Sequence, residues 1–265
     1  MKKGFLLVMA CLILLSGCAF NTVRAGISAS IEQRVTDHYL SVFELQMHRV
    51  NFSMIYTQTF SLGGFAHGHT NFSQGDSVTW KVEAHDQGMS SSYTTQRALV
   101  AKQIDGTSWW YLSLTSDEGE FAYAMLADAD LAPLTIRFMD PNTGKPAELP
   151  FEKPTKEAYA QTDAYPGMLP ESYDEEIVIR DPRDLLDHTI STERITVGAG
   201  SFDTKKLEYS YEDPDTGETF GYTWWVNSQV PGELVRFIWG DPKDESFMKG
   251  EITRIDRGFT TPLAP

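Results

Sequence analysis

An α+β fold, one amphipathic helix laid over a large curved antiparallel sheet, follows from three features of the sequence. Apolar residues recur every three or four positions from Ile27 to about Val50. After Asn51 the apolar period falls to two and stays there in most later segments. Short Gly- and Asp-containing turns separate those segments, which places successive strands side by side and antiparallel.

The chain opens on a segment that lies outside the domain. Lys2 and Lys3 precede an apolar run from Phe5 to Leu15, closed by Leu15-Ser16-Gly17-Cys18. This is the layout of a secretory signal, far shorter than the roughly 20 apolar residues that span a bilayer. Its ending resembles the bacterial lipobox. That resemblance implies cleavage before Cys18, diacylation of the thiol and acylation of the new amino group. Three acyl chains exceed the two signals that stable anchoring needs. Ala19 follows the Cys where an Asp would resemble an inner-membrane retention signal, so the expected location is the outer membrane, facing the periplasm. Residues 1–17 thus read as signal and 18–26 as a polar tether.

From Ile27 the helix shows Ile31, Val35, Tyr39, Val42, Phe43 and Met47 on one stripe, with Ser28 or Ser30 placed to cap its start. Strands are expected at Phe52–Tyr56, Val78–Val82, Arg97–Ile104, Ser108–Leu114, Glu120–Leu126 and Leu134–Met139. A second group is expected at Arg194–Val197, Lys205–Tyr211, Thr219–Val226, Leu234–Trp239 and Met248–Ile255. Between the groups, residues 152–176 form an acidic, Pro-rich insertion, and 181–187 favour a short helix. Asp140-Pro141-Asn142-Thr143-Gly144 and Asp213-Pro214-Asp215-Thr216-Gly217 carry the chemistry of hairpin tips. The expected single domain spans 27–257, and 258–265 read as a disordered tail.

Strand alternation assigns faces. Trp110, Leu112 and Leu114 share one side; Trp109, Tyr111 and Ser113 share the other. Phe121, Tyr123 and Met125 form a second apolar set, followed by Leu134, Ile136 and Phe138. Tyr222, Trp224 and Val226, then Val235, Phe237 and Trp239, complete it. Trp110 and Trp224 are therefore expected inward, and Trp109 and Trp225 outward and exposed. One helix offers little cover for so large an aromatic face. Such a face either packs as core or lines a pocket for an apolar ligand. Trp110, Phe121, Tyr123, Phe138, Tyr222, Trp224, Phe237 and Trp239 are the candidate ligand-binding residues.

The chain carries a net charge of −15, which becomes −17 when Lys2 and Lys3 leave with the signal. That balance opposes binding to nucleic acid or to anionic headgroups. Loss of Cys11 and acylation of Cys18 would leave no cysteine for a disulfide or a nucleophile. His67-Gly68-His69 with His85 is too sparse a set to mark a metal site. Gly198-Ala199-Gly200 lacks the Lys-Ser/Thr of a phosphate loop and reads as a tight turn. No nucleophile elbow or cofactor motif is present, and no metal or cofactor is expected.

The C-terminal half resembles a known family. Ile195 to Thr204, with its Gly-x-Phe-x-Thr, precedes Trp224-Trp225-Val226-Asn227 and Val230-Pro231-Gly232-Glu233-Leu234-Val235. This succession is similar to bacterial envelope proteins of the outer-membrane lipoprotein-sorting (LolA/LolB-like) superfamily and their lipoprotein relatives. The resemblance implies an unclosed antiparallel β-barrel with helices as a lid, holding acyl chains on its concave face. It implies a lipid-anchored, non-catalytic binder of lipid or another apolar molecule. An envelope lipoprotein that docks a protein partner is the alternative, and an extracytoplasmic hydrolase ranks third.

Overall fold

In the computed structural model, the residues described are 31–65, 69, 71–86, 88–117, 119–151, 189–212, 219–240 and 246–264. Side chains are described for all of these except 31–44, 189–190, 211–212 and 219–220. Cys18, His67, the 152–176 insertion, the 181–187 segment and the second hairpin tip lie outside them.

Helix α1 (Ile31–Phe60) leads into a single 3₁₀ turn, Leu62–Gly64. Among the described residues eleven strands follow: β1 (Ser77–Asp86), β2 (Met89–Lys102), β3 (Ser108–Ser116), β4 (Gly119–Ala127), β5 (Pro133–Met139) and β6 (Pro146–Pro150). Then come β7 (Thr189–Val197), β8 (Gly200–Glu212), β9 (Thr219–Val226), β10 (Leu234–Trp239) and β11 (Ser246–Asp256). They form one antiparallel sheet in the order β6-β5-β4-β3-β2-β1-β11-β10-β9-β8-β7. The first and last strands are edges, so the sheet is not closed. An unclosed half-barrel with one long helix on its inner face is the architecture the sequence implied.

Several boundaries differ from expectation; β7 and β8 each begin five residues early, at Thr189 and Gly200. Phe52–Tyr56 is not a strand; α1 runs on to Phe60. The buried positions there are Phe52, Ile55, Thr59 and Phe60, a spacing of three to four residues that belongs to a helix. Ser53 and Thr59 return their hydroxyls to the carbonyls of Arg49 and Ile55, so these polar residues sit in the helix without breaking it. Further differences are β6 and the Ser-rich start of β2. Neither segment carries enough apolar side chains to announce itself as strand.

The first hairpin tip behaves as its residues dictate. Asp140 Oδ1 accepts from the Asn142 N–H at 2.8 Å, and Gly144 takes φ +65°.

Alpha1 crosses the sheet from the β6 edge toward the centre. Arg49 reaches the Pro150 carbonyl, Tyr56 the Leu131 carbonyl, and Phe60 meets Trp110 edge-on. The 3₁₀ turn extends this cover over β9 and β10. The Trp224 Nε1–H donates to the Gly63 carbonyl at 2.8 Å.

The other face is covered as well. The β7–β8 hairpin folds back over it: Ala199 N–H donates to Ile252 O, and Arg236 Nη2 donates to Thr196 O. Trp225, which shares a face with Arg236, is thereby buried, and its Nε1–H donates to Glu193 Oε1 at 2.6 Å. At the far side the tail lies against Trp109 and Tyr111, and Leu263 is only 3% exposed. The expected disordered tail is therefore packed. Trp109 and Trp225 do point away from α1, as alternation requires, but both are buried. Alternation reports the side of a strand and says nothing of what a distant segment lays upon it.

Candidate functional site

The inner face is organised in cross-strand rows. One row runs Leu207, Trp224, Phe237, Gly250, Val82 and Tyr93 across six paired strands. All six are buried. The Phe237 ring lies between two glycines. A Cβ on Gly63 would stand 2.3 Å from the ring and one on Gly250 2.4 Å, so the absence of both side chains lets the helix-turn and the sheet close on it.

The core under α1 also holds a charge. Arg97 is 1% exposed, with its guanidinium against the rings of Phe60, Phe72 and Trp80 at 4.8 to 5.2 Å. Its Nη1 donates to Thr59 O at 2.6 Å, satisfying a carbonyl that the helix end leaves free. Burial pulls its pKa down to about 9. The arginine works as a structural cap inside an aromatic cage.

Five of the eight candidate ligand residues belong to this packed region. Trp110 meets Phe60 and Phe72 edge-on. Tyr123 bonds His48 through its hydroxyl at 3.2 Å, and Phe138 stacks on the same imidazole at 3.6 Å. Trp224 is fixed by Gly63 and Phe237 by its two glycines. None of these five has open surface in reach.

The remaining three are half-buried: Phe121, Tyr222 and Trp239. Two of them belong to the next row outward, Tyr209, Tyr222, Trp239, Met248 and Ala84. Every member of this row is half-buried. Tyr222 stacks near-parallel on Trp224 and on Trp239, at 5.6 and 6.3 Å, and Tyr209 tilts against it at 6.1 Å. Gly64 at φ +76° lies against Tyr222 and marks the limit of the 3₁₀ turn's cover. Beyond Gly64 the inner face presents a continuous strip of rings and a thioether. Burial raises the Tyr222 pKa, so the phenol stays neutral. The strip offers area and π faces without a charge of its own.

Tyr209 and Met248 were not among the sequence candidates. Tyr209 follows from the alternation of β8, since it shares a face with Leu207. Met248 needs the β10–β11 register. Only Met248 is illegible without knowing which strands pair.

Among the described residues, no group of three or more His, Cys, Asp or Glu is placed to hold a metal ion. His85 is engaged by Ser90 at 2.8 Å and stacks on Phe247. No helix of the described residues is long and apolar enough to cross a membrane.

No family model matches this chain, and no curated protein matches it. Solved structures do resemble it. A candidate lipoprotein of Parabacteroides distasonis is 13% identical, over 69% of this chain and 96% of its own, with a TM-score of 0.32. The Pseudomonas aeruginosa MucA/MucB complex is 11% identical, over 77% of this chain and 58% of its own, with a TM-score of 0.39. A LolA superfamily protein of Nitrosomonas europaea is 11% identical, over 76% of this chain and 94% of its own, with a TM-score of 0.25.

Proposed function

We propose that this protein is a non-catalytic envelope lipoprotein, anchored through Cys18 at the outer membrane and facing the periplasm, that binds an acyl chain or similar apolar ligand. The observation that carries the reading is the half-buried strip Tyr209, Tyr222, Trp239 and Met248, which continues the inner face past the edge of its cover. The ligand enters at this strip and lies across the rings. Trp224 and Phe237, in the adjoining row, support the strip from the packed side. Each CH₂ buried there contributes about 0.8 kcal/mol, so a long chain is held without a charged contact. The resemblance to lipoprotein-sorting proteins points to the same ligand class.

Titration of the secreted Cys18→Ser chain with a dansyl-labelled fatty acid, at low and high salt, tests the binding. Saturable binding that changes little with salt is expected, weakened about tenfold by Tyr222→Ala or Trp239→Ala. No saturable binding at either salt rejects the reading. The anchor is tested separately. Metabolic labelling with a clickable fatty acid should mark the wild type and spare Cys18→Ser, and equal labelling rejects it.

A further inference from the structure

The outer face of β2, β3 and β4 is built as a groove. Trp109 and Tyr111 form its floor on β3. Ala98 and Ala101 pair with them from β2, and Ala124 and Leu126 from β4. Three alanines and Leu126 beside two large rings make an apolar seat whose floor is aromatic. Arg137 closes one side, with its guanidinium 4.8 Å from the Trp109 ring and its Nε bonded to Glu148 at 2.7 Å.

The chain's own tail occupies this seat. It turns at Gly258, whose backbone sits 3.1 Å from where a Cβ on Gly75 would stand. Phe259 then meets Tyr111 at 5.0 Å, and Leu263 inserts as the most buried residue of the tail. Among the described residues, one main-chain hydrogen bond joins the tail to the body, from Phe259 N–H to Gly75 O at 2.8 Å. The hold is therefore made by side chains, above all by one leucine. No residue from Gly258 to Ala264 is charged, in a chain of net charge −15. Pro262 fixes its own φ, and the chain turns at Pro262–Leu263, with the Leu263 N–H held by Thr261 Oγ1, so that the leucine side chain is aimed at the groove.

An apolar anchor beside a proline turn, set on aromatic rings, is a compact way for one chain segment to dock on another. We propose that this outer face is a peptide-binding groove, held in cis by the tail. Its partner is an uncharged segment of another protein that carries leucine beside proline and displaces the tail. The tail states the chemistry the groove accepts. The groove lies on the side of β3 opposite Trp110, so it is independent of any ligand on the inner face. Tethering gives the tail an effective concentration on the order of millimolar, which keeps the groove closed to weak competitors.

A fluorescein-labelled peptide of residues 258–265 is the probe, titrated into the full chain carrying Leu263→Ser. Saturable binding is expected, about tenfold tighter than to the wild type, where the tail competes. A probe peptide with its own leucine changed to serine should not bind. Absence of saturable binding to a folded Leu263→Ser chain overturns the proposal. If Leu263→Ser fails to fold, the wild type is treated with excess peptide bearing a photoreactive leucine. Crosslinks to Trp109, Tyr111 or their alanine neighbours support the groove; crosslinks elsewhere, or none, overturn it. A wild-type dimer by light scattering that Leu263→Ser abolishes assigns the groove to a second copy and overturns the partner.

Discussion

Arg97 donates through Nη1 to the carbonyl oxygen of Thr59 at 2.6 Å, joining the middle of the sheet to the last turn of α1. The two residues are 38 positions apart, and the bond is buried. A guanidinium out of water is expensive unless its surroundings compensate it. Here three aromatic rings and one helix-end carbonyl offset part of that cost, while the buried Nε–H has no hydrogen-bond partner.

Replacing this arginine separates its two roles. Arg97→Met keeps most of the volume and leaves Thr59 O without its donor, a loss of about 1–3 kcal/mol. Arg97→Ala adds a cavity, and the loss rises to about 3–5 kcal/mol. Denaturant titration of both variants reads the difference. An alanine variant as stable as the methionine variant contradicts the cage.

Gly63 is the tightest point of the inner core. Gly63→Ala forces an L-residue to φ +59° and drives its Cβ into the Phe237 ring. The first effect costs about 1 kcal/mol and the second about 1–3 kcal/mol. In a Phe237→Ala background only the first should remain. A double-mutant cycle measures this. Equal losses in both backgrounds would show that the ring is not the obstacle.

The two adjacent tryptophans of β3 are expected to cost alike. Trp110 packs under α1 and Trp109 under the tail, each less than 5% exposed. Trp110→Ala and Trp109→Ala should each lose about 3–5 kcal/mol. A loss below 1 kcal/mol for Trp109→Ala, in denaturant titration, would mean the tail leaves this ring open to water.

Alkaline pH should destabilise the fold through buried phenols. Burial raises the pKa of Tyr93 and Tyr123 well above the ordinary value of 10.0. The unfolded chain therefore releases these protons first, and stability falls as pH rises through 10. Below that pH both states hold the proton and the groups are neutral to the balance. Tyr123→Phe should flatten part of the fall. Thermal unfolding from pH 8 to 11 checks it, and an unchanged slope in the variant removes Tyr123 as a contributor.

By itself the sequence determined the class of fold, most strands and the side each strand residue faces. Those properties are local. A period of two or of three to four is written within ten residues, and Asp140 to Gly144 makes its turn from its own side chains. Which of the two inner rows is covered was not legible. It depends on where the 3₁₀ turn stops, at Gly64 against Tyr222, and on the register that sets Met248 beside Trp239. Two adjacent glycines, Gly63 and Gly64, suit a turn, but nothing local marks Gly63 as the slot for Phe237, which stands 174 positions later. It placed Trp109 and Trp225 on the outer face and left them exposed. Burial there comes from the tail and from the β7–β8 hairpin, segments with no local link to either ring. Only the tertiary fold decides such contacts, because the free energy of covering an apolar ring depends on which surface arrives, and no local pattern encodes the arrival.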